Sequence, residues 1–213
     1  MEITLGLVFQ ADWDDRPFRV LAFDESEVFY DCWWPHANAW GLASVKGRAV
    51  YYRVPTDVTR RRGKPLRTEP LTAEELAVHR PDLPLRLARS TTLQWTRQLY
   101  PSLESYAAYV RECSPSSLPR AMKGGLPIPK VFLYPFGPKG SSKTGTLIEG
   151  ANGGGFSMLE LLWRAHNLQA PLIRKPQSDG VGLYRSGFQR GVPSFYIWGA
   201  TDRAALARAE TDL

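Results

Sequence analysis

Gly137-Pro138-Lys139-Gly140-Ser141-Ser142-Lys143-Thr144 is the segment of this 213-residue chain whose spacing comes nearest to a known chemistry. It departs from the phosphate-binding loop pattern G-x-x-x-x-G-K-[ST] only at the second glycine, where Ser142 stands. Such a loop works when its amides and the N-terminus of a following helix converge on phosphate. Here Gly145-Thr146-Leu147-Ile148-Glu149 follows, which reads as a strand, and Pro138 removes one amide. The simpler expectation is a hairpin turn displaying Lys139 and Lys143, with nucleotide chemistry at 137–144 as the enzymatic alternative. A second glycine segment, Gly150-Ala151-Asn152-Gly153-Gly154-Gly155, runs into a helix near Phe156. Its free amides suit an anion, but a strand-to-helix crossing that needs positive φ asks for the same glycines. If 131–136 and 144–149 form one hairpin, the two glycine segments lie at its opposite ends and cannot share a phosphate.

The three histidines, His36, His79 and His166, form no H-x-x-x-H pair, so no metal site is expected. His166 falls one turn after Leu162 on the apolar face of a helix and reads as structural. Glu160 and Arg164 on the same helix have ion-pair spacing. Cys32 lies four residues before His36, a spacing that invites comparison with an activated thiol. Strand alternation, however, turns Cys32 into a sheet face with Val28 and Tyr30, and no orienting third group is evident. Cys32 and Cys113 are expected as free thiols in a reducing compartment. No catalytic residue and no cofactor is expected.

Binding chemistry is better represented. Trp33, Trp34 and Trp40, with His36 between them, place three of the chain's seven tryptophans within eight positions. Tryptophan clusters anchor protein partners and stack on bases; they also plug the open end of a small barrel. Arg60, Arg61, Arg62, Lys64 and Arg67 form a basic run suited to phosphates. Lys139 and Lys143 would extend that surface. The net charge of +6 lies wholly beyond residue 95, because residues 1–95 hold thirteen acids and thirteen bases. Within them, eight acids fall in 1–31 and eight bases in 46–67. Such segregation steers charged partners, or marks two faces that attract each other within the fold.

These residues need elements to hold them. Ile3–Phe9, Phe18–Phe23, Glu27–Trp33 and Arg48–Val54 read as short strands joined by polar turns. Pro55–Arg62 reads as a helical turn ending at Gly63 or as a basic loop, and Thr72-Ala73-Glu74-Glu75 as a capping box whose helix ends before Pro81. Leu83–Leu93 reads as irregular and Leu103–Cys113 as a helix. Beyond the breakers of 114–129, the order is strand, strand, helix over Phe156–Gln169, strand, strand, then a short helix over Asp202–Ala209. The expected fold is α+β: a β-rich domain over 1–95, forming a small antiparallel barrel or curled sheet; a helix and Pro/Gly-rich linker over 96–129; and a β-β-α-β-β module over 130–213.

The strand pattern of the first part resembles SH3-like folds. The stretch Val8–Trp40, with Ala11-Asp12-Trp13-Asp14-Asp15-Arg16-Pro17 and Asp31-Cys32-Trp33-Trp34-Pro35-His36, is similar to bacterial proteins of no assigned activity and carries no site over. No apolar run reaches membrane-spanning length, and Met1–Leu5 lacks a basic and apolar leader, so a cytoplasmic protein without membrane partner is expected. The functional expectation is a non-catalytic bacterial protein that binds nucleic acid through Arg60–Arg67, Lys139 and Lys143, with Trp33, Trp34, His36 and Trp40 as anchors. A protein-interaction subunit, such as an immunity or defence accessory, is the alternative.

Overall fold

Alternating and β-branched apolar residues make strands of Leu7–Ala11 (β1), Asp14–Phe23 (β2) and Glu27–Trp34 (β3). A computed structural model describes residues 1–113, 124–137, 144–173 and 180–199. It continues with Ala39–Gly41 (β4), Ala43–Val45 (β5), Arg48–Val50 (β6), Tyr52–Pro55 (β7), Thr56–Arg62 (α1), Gly63–Thr68 (β8) and Ala73–His79 (α2). Then come Arg86–Ser90 (β9), Leu103–Cys113 (α3), Gly125–Leu126 (β10), Lys130–Tyr134 (β11), Thr146–Glu149 (β12) and Phe156–Ser157 (β13). Met158–Gln169 (α4), Val181–Gln189 (β14) and Val192–Trp198 (β15) complete the series. The fold is mixed α+β. Its chain divides into two units, Met1–Leu85 with Ser186–Pro193, and Arg86–Arg185 with Ser194–Leu213.

The first unit is built on an antiparallel sheet of order β4-β3-β2-β1-β8, with β7 also paired to β3. Both faces are covered. Phe9, Phe18, Val28, Tyr30 and Cys32 pack on one side, and Leu21, Ala22, Phe29, Tyr51 and Leu85 on the other. Among the described residues the sheet does not close, so the barrel alternative is replaced by an open sheet. A physical reason lies in β8, an edge strand whose Pro65 lacks a ladder donor and whose mostly exposed side chains include the charged Lys64 and Arg67. The single strand expected over Arg48–Val54 is divided at Tyr51. β6 pairs with β5 and with Gly187 and Phe188, whereas β7 turns to β3. Gly187 sits at φ +151°, where a Cβ would collide with the Ala49 carbonyl, so only glycine allows that close approach.

Local helix signals are realised. α1 ends at Gly63, and α2 carries the full capping box between Thr72 and Glu75. Arg80, at φ 42°, closes α2 just ahead of Pro81.

In the second unit β11 pairs antiparallel with β12 but parallel with β15, at Phe132 with Ser194 and Tyr134 with Tyr196. The chain leaves β11 and returns as β15 after α4, the kind of long connection that parallel pairing requires. Leu83–Leu93, expected to be irregular, contains β9, which pairs with β14. The Asp202–Ala209 helix and residues 114–123 of the expected linker lie outside the described residues.

α4 starts at Met158, capped by Ser157, and buries Leu161, Leu162, Ala165 and His166. His166 is wholly buried among Trp95, Tyr100, Tyr106 and Tyr109. Its Nε2 donates to the Gln98 carbonyl at 3.1 Å. Burial pushes its pKa down to about 4, against that hydrogen bond. The folded chain therefore favours the neutral ring. Stability from His166 is full above an unfolded pKa of about 6.5 and is lost as pH falls toward about 4. Urea unfolding followed from pH 7.5 to 4 should show this loss, and His166→Gln should flatten it; a variant with the same pH slope would contradict the assignment.

Candidate functional site

The basic run is held outward because α1 buries Thr56 and Thr59, leaving Arg60, Arg61 and Arg62 on its solvent side. β8 extends the same edge with Lys64 and Arg67, both exposed. Acids meet several of these bases. Arg61 pairs with Asp57 at 3.1 Å, Arg62 with Asp12 at 2.7 Å, and Arg67 with Glu69. Arg62 also lies over the Trp13 ring, 5.3 Å from its centroid. The Asp12 contact joins the acidic N-terminal segment to the basic one. These pairs are exposed and each contributes about 0 to 1 kcal/mol. Lys139 and Lys143 lie outside the described residues, as does most of the 137–144 turn.

The aromatic residues divide. Trp33 and Trp40 are neighbours across β3 and β4, with ring centroids 5.4 Å apart in edge contact. Trp34, one residue along β3, points to the opposite face. There it meets His36 at 5.5 Å, supports the Arg16 guanidinium at 4.5 Å, and closes over Gly41. Strand alternation thus splits what reads as one cluster into two pairs. The Trp40 indole N–H donates to Glu69 at 2.8 Å, and Glu69 also holds Arg67, so one predicted tryptophan and one predicted arginine share a carboxylate.

Cys32 is buried with Val28 and Tyr30, and burial pushes its pKa up to about 12, so the sulfur is protonated at neutral pH. At the second glycine segment, the Ala151 amide donates to Glu160 at 3.4 Å. The chain's own carboxylate stands where an anion would bind.

A different cluster occupies the other face of the first unit's sheet. Arg19 on β2 and Asp31 on β3 are cross-strand partners, 4% and 3% exposed. Arg19 donates Nη2 to Asp31 at 2.8 Å and to Glu75 of α2 at 2.6 Å, while its Nε faces Asp31 at 3.4 Å. Its guanidinium lies 4.9 Å from the Trp40 ring centroid. The Thr72 amide donates to the second Glu75 oxygen at 2.8 Å, so the capping box and the ion cluster share one side chain. Arg19 serves two carboxylates, and although burial opposes its charge, Asp31 and Glu75 raise its pKa. Burial pushes Asp31 up to about 6 against Arg19, with Glu75 adding to the rise. Burial also acts on Glu75, but the Thr72 amide and Arg19 outweigh it and lower its pKa.

This cluster floors an open cleft of about 410 Å³, lined also by Trp40, Ser44, Arg48, His79 and Phe188. Of these lining groups, only Trp40 and, as a histidine with no metal pattern, His79 were candidates from the sequence. The one sequence signal of the buried pair is a charge within each of two apolar strands, Arg19 in Phe18–Phe23 and Asp31 in Glu27–Trp33, which only the hairpin register joins. Among the described residues no group of acids, histidines and cysteines is arranged to hold a metal. No protein-family model, curated protein or solved structure matches the chain.

Removing Arg19 leaves Asp31 buried without its cation. Arg19→Met is expected to destabilise the protein by about 3 to 5 kcal/mol. Glu75→Gln, which keeps the pair with Asp31, should cost less. Denaturant titrations would check both, and equal small losses would contradict a central role for Arg19.

Proposed function

We propose that the protein is a non-catalytic binding protein that associates with nucleic acid along the α1–β8 edge. The observation that carries this reading is the run of exposed bases at Arg60, Arg61, Arg62, Lys64 and Arg67 on adjoining elements. Lysine and arginine placed this way displace counterions from a phosphate backbone. Trp13, 37% exposed beneath Arg62, offers a ring to stack on an unpaired base. Asp57, Asp12 and Glu69 orient three of the arginines and must share them with phosphate.

That sharing also favours a second reading, a protein partner. Carboxylate clamps reduce the field a polyanion would feel, while arginine and tryptophan on one surface match the composition of protein interfaces. An immunity or defence accessory role is one form of it. In either case no helix among the described residues is long and apolar enough to cross a membrane.

Binding of labelled single- and double-stranded DNA and RNA at two salt concentrations separates the readings. The nucleic-acid reading expects affinity that falls steeply with salt, and an Arg60/Arg61/Arg62→Ala variant whose log–log salt slope shrinks by about 2 to 3. An unchanged slope in that variant, or no binding at low salt, removes nucleic acid and leaves the protein partner.

A further inference from the structure

We propose that the ring-bearing face of the second unit's sheet is a platform for an unpaired nucleic-acid strand. This surface rests on the nucleic-acid reading for the kind of ligand, and on none of the α1–β8 residues. Strand alternation gives the sheet two unlike faces. Phe195 and Ile197 of β15 turn to one side and are buried, whereas Tyr196 and Trp198 turn to the other. There the rings form a row. Phe136, just beyond β11, meets Tyr196 at 5.5 Å between centroids, Tyr196 meets Tyr184 of β14 at 5.4 Å, and Tyr184 meets Trp198 at 5.6 Å. Two arginines of β9 join the row: the Arg86 guanidinium lies 5.2 Å over the Tyr184 ring, and that of Arg89 5.3 Å over Trp198. Residues three apart would ordinarily point to opposite faces. Ala88, at φ 53°, lies between them where the β9–β14 register shifts, and this bulge brings both arginines to the rings. Phe136, Tyr196, Trp198 and Arg86 are half-buried and Arg89 is exposed, so the row reaches the surface.

Charge selects the ligand. None of β9, β11, β14 and β15 carries an aspartate or a glutamate. The acid on neighbouring β12, Glu149, is paired with Lys130 at 2.6 Å. The α1–β8 edge differs, since carboxylates there hold three of its arginines. Rings interleaved with cations match a ligand whose flat rings are joined by negative charges, which is the make-up of a nucleotide strand. Bases stack on aromatic side chains and on guanidinium planes, and their phosphates attract arginine. In a duplex the base faces are taken by neighbouring bases and only edges are offered, so a row of rings favours the unpaired strand.

The test follows the whole protein by fluorescence anisotropy with labelled oligothymidylate and with a labelled duplex of the same length. Oligothymidylate is expected to bind at least about tenfold more tightly than the duplex, as stacking of more than one base requires. Trp198→Leu is expected to weaken oligothymidylate at least about fivefold, the low end for one stacked base, and to leave duplex binding as in the parent. Arg89→Gln, a change at an exposed side chain, should weaken oligothymidylate and reduce its log–log salt slope by about 0.7. Unfolding midpoints verify that both variants fold. Equal affinity for strand and duplex, or either variant binding oligothymidylate as the parent does, overturns the platform; the edge reading then stands or falls on Arg60/Arg61/Arg62→Ala alone. Oligothymidylate binding weakened by Trp198→Leu but untouched by that triple variant keeps the platform and removes the edge. Absence of any binding at low salt overturns both.

Discussion

One guanidinium holds the first unit in register. Arg19 sits in the sheet where an apolar residue would ordinarily be, so its charge must be answered on the spot. Asp31 answers it across the hairpin, and Glu75 answers it from α2. Sliding β2 past β3 by one residue would separate Arg19 from Asp31 and turn both to the wrong face. Undocking α2 would take away Glu75 and with it the helix cap that Glu75 completes. Strand register, helix position and helix start therefore depend on one contact, although a well-packed apolar replacement could be just as stable. What the ion cluster adds is a single allowed alignment, plus donors facing a cleft.

Much of the local structure was legible because its causes are local. The capping box at Thr72 and Glu75, the stop at Gly63 and the helix over Leu103–Cys113 each follow from a few neighbouring residues. The inward turn of Cys32 with Val28 and Tyr30 follows from period-two alternation. His166 as a structural ring follows from its place on the apolar face of its helix.

What escaped depends on residues far apart in the chain. The division at Tyr51 exists because the Tyr51 amide donates to the carbonyl of Ser186, a partner more than a hundred residues away. β9 looked irregular because its pattern is completed only by β14. The candidate site was missed for the same reason: Arg19 and Asp31 are unremarkable apart, and Glu75 already had a local explanation as a cap. The tryptophans carried the opposite error. Proximity in sequence suggested one cluster, and the pleat of β3 sent Trp33 and Trp34 to opposite faces.

The discontinuity of the first unit also orders events during synthesis. Met1–Leu85 leaves the ribosome early, but Ser186–Pro193 emerges about a hundred residues later, roughly 5 to 20 s at ordinary translation rates. Until then β6 lacks Gly187 and Phe188 as partners, and the cleft lacks its Phe188 wall. No nascent fragment ending before residue 188 can present the complete cleft.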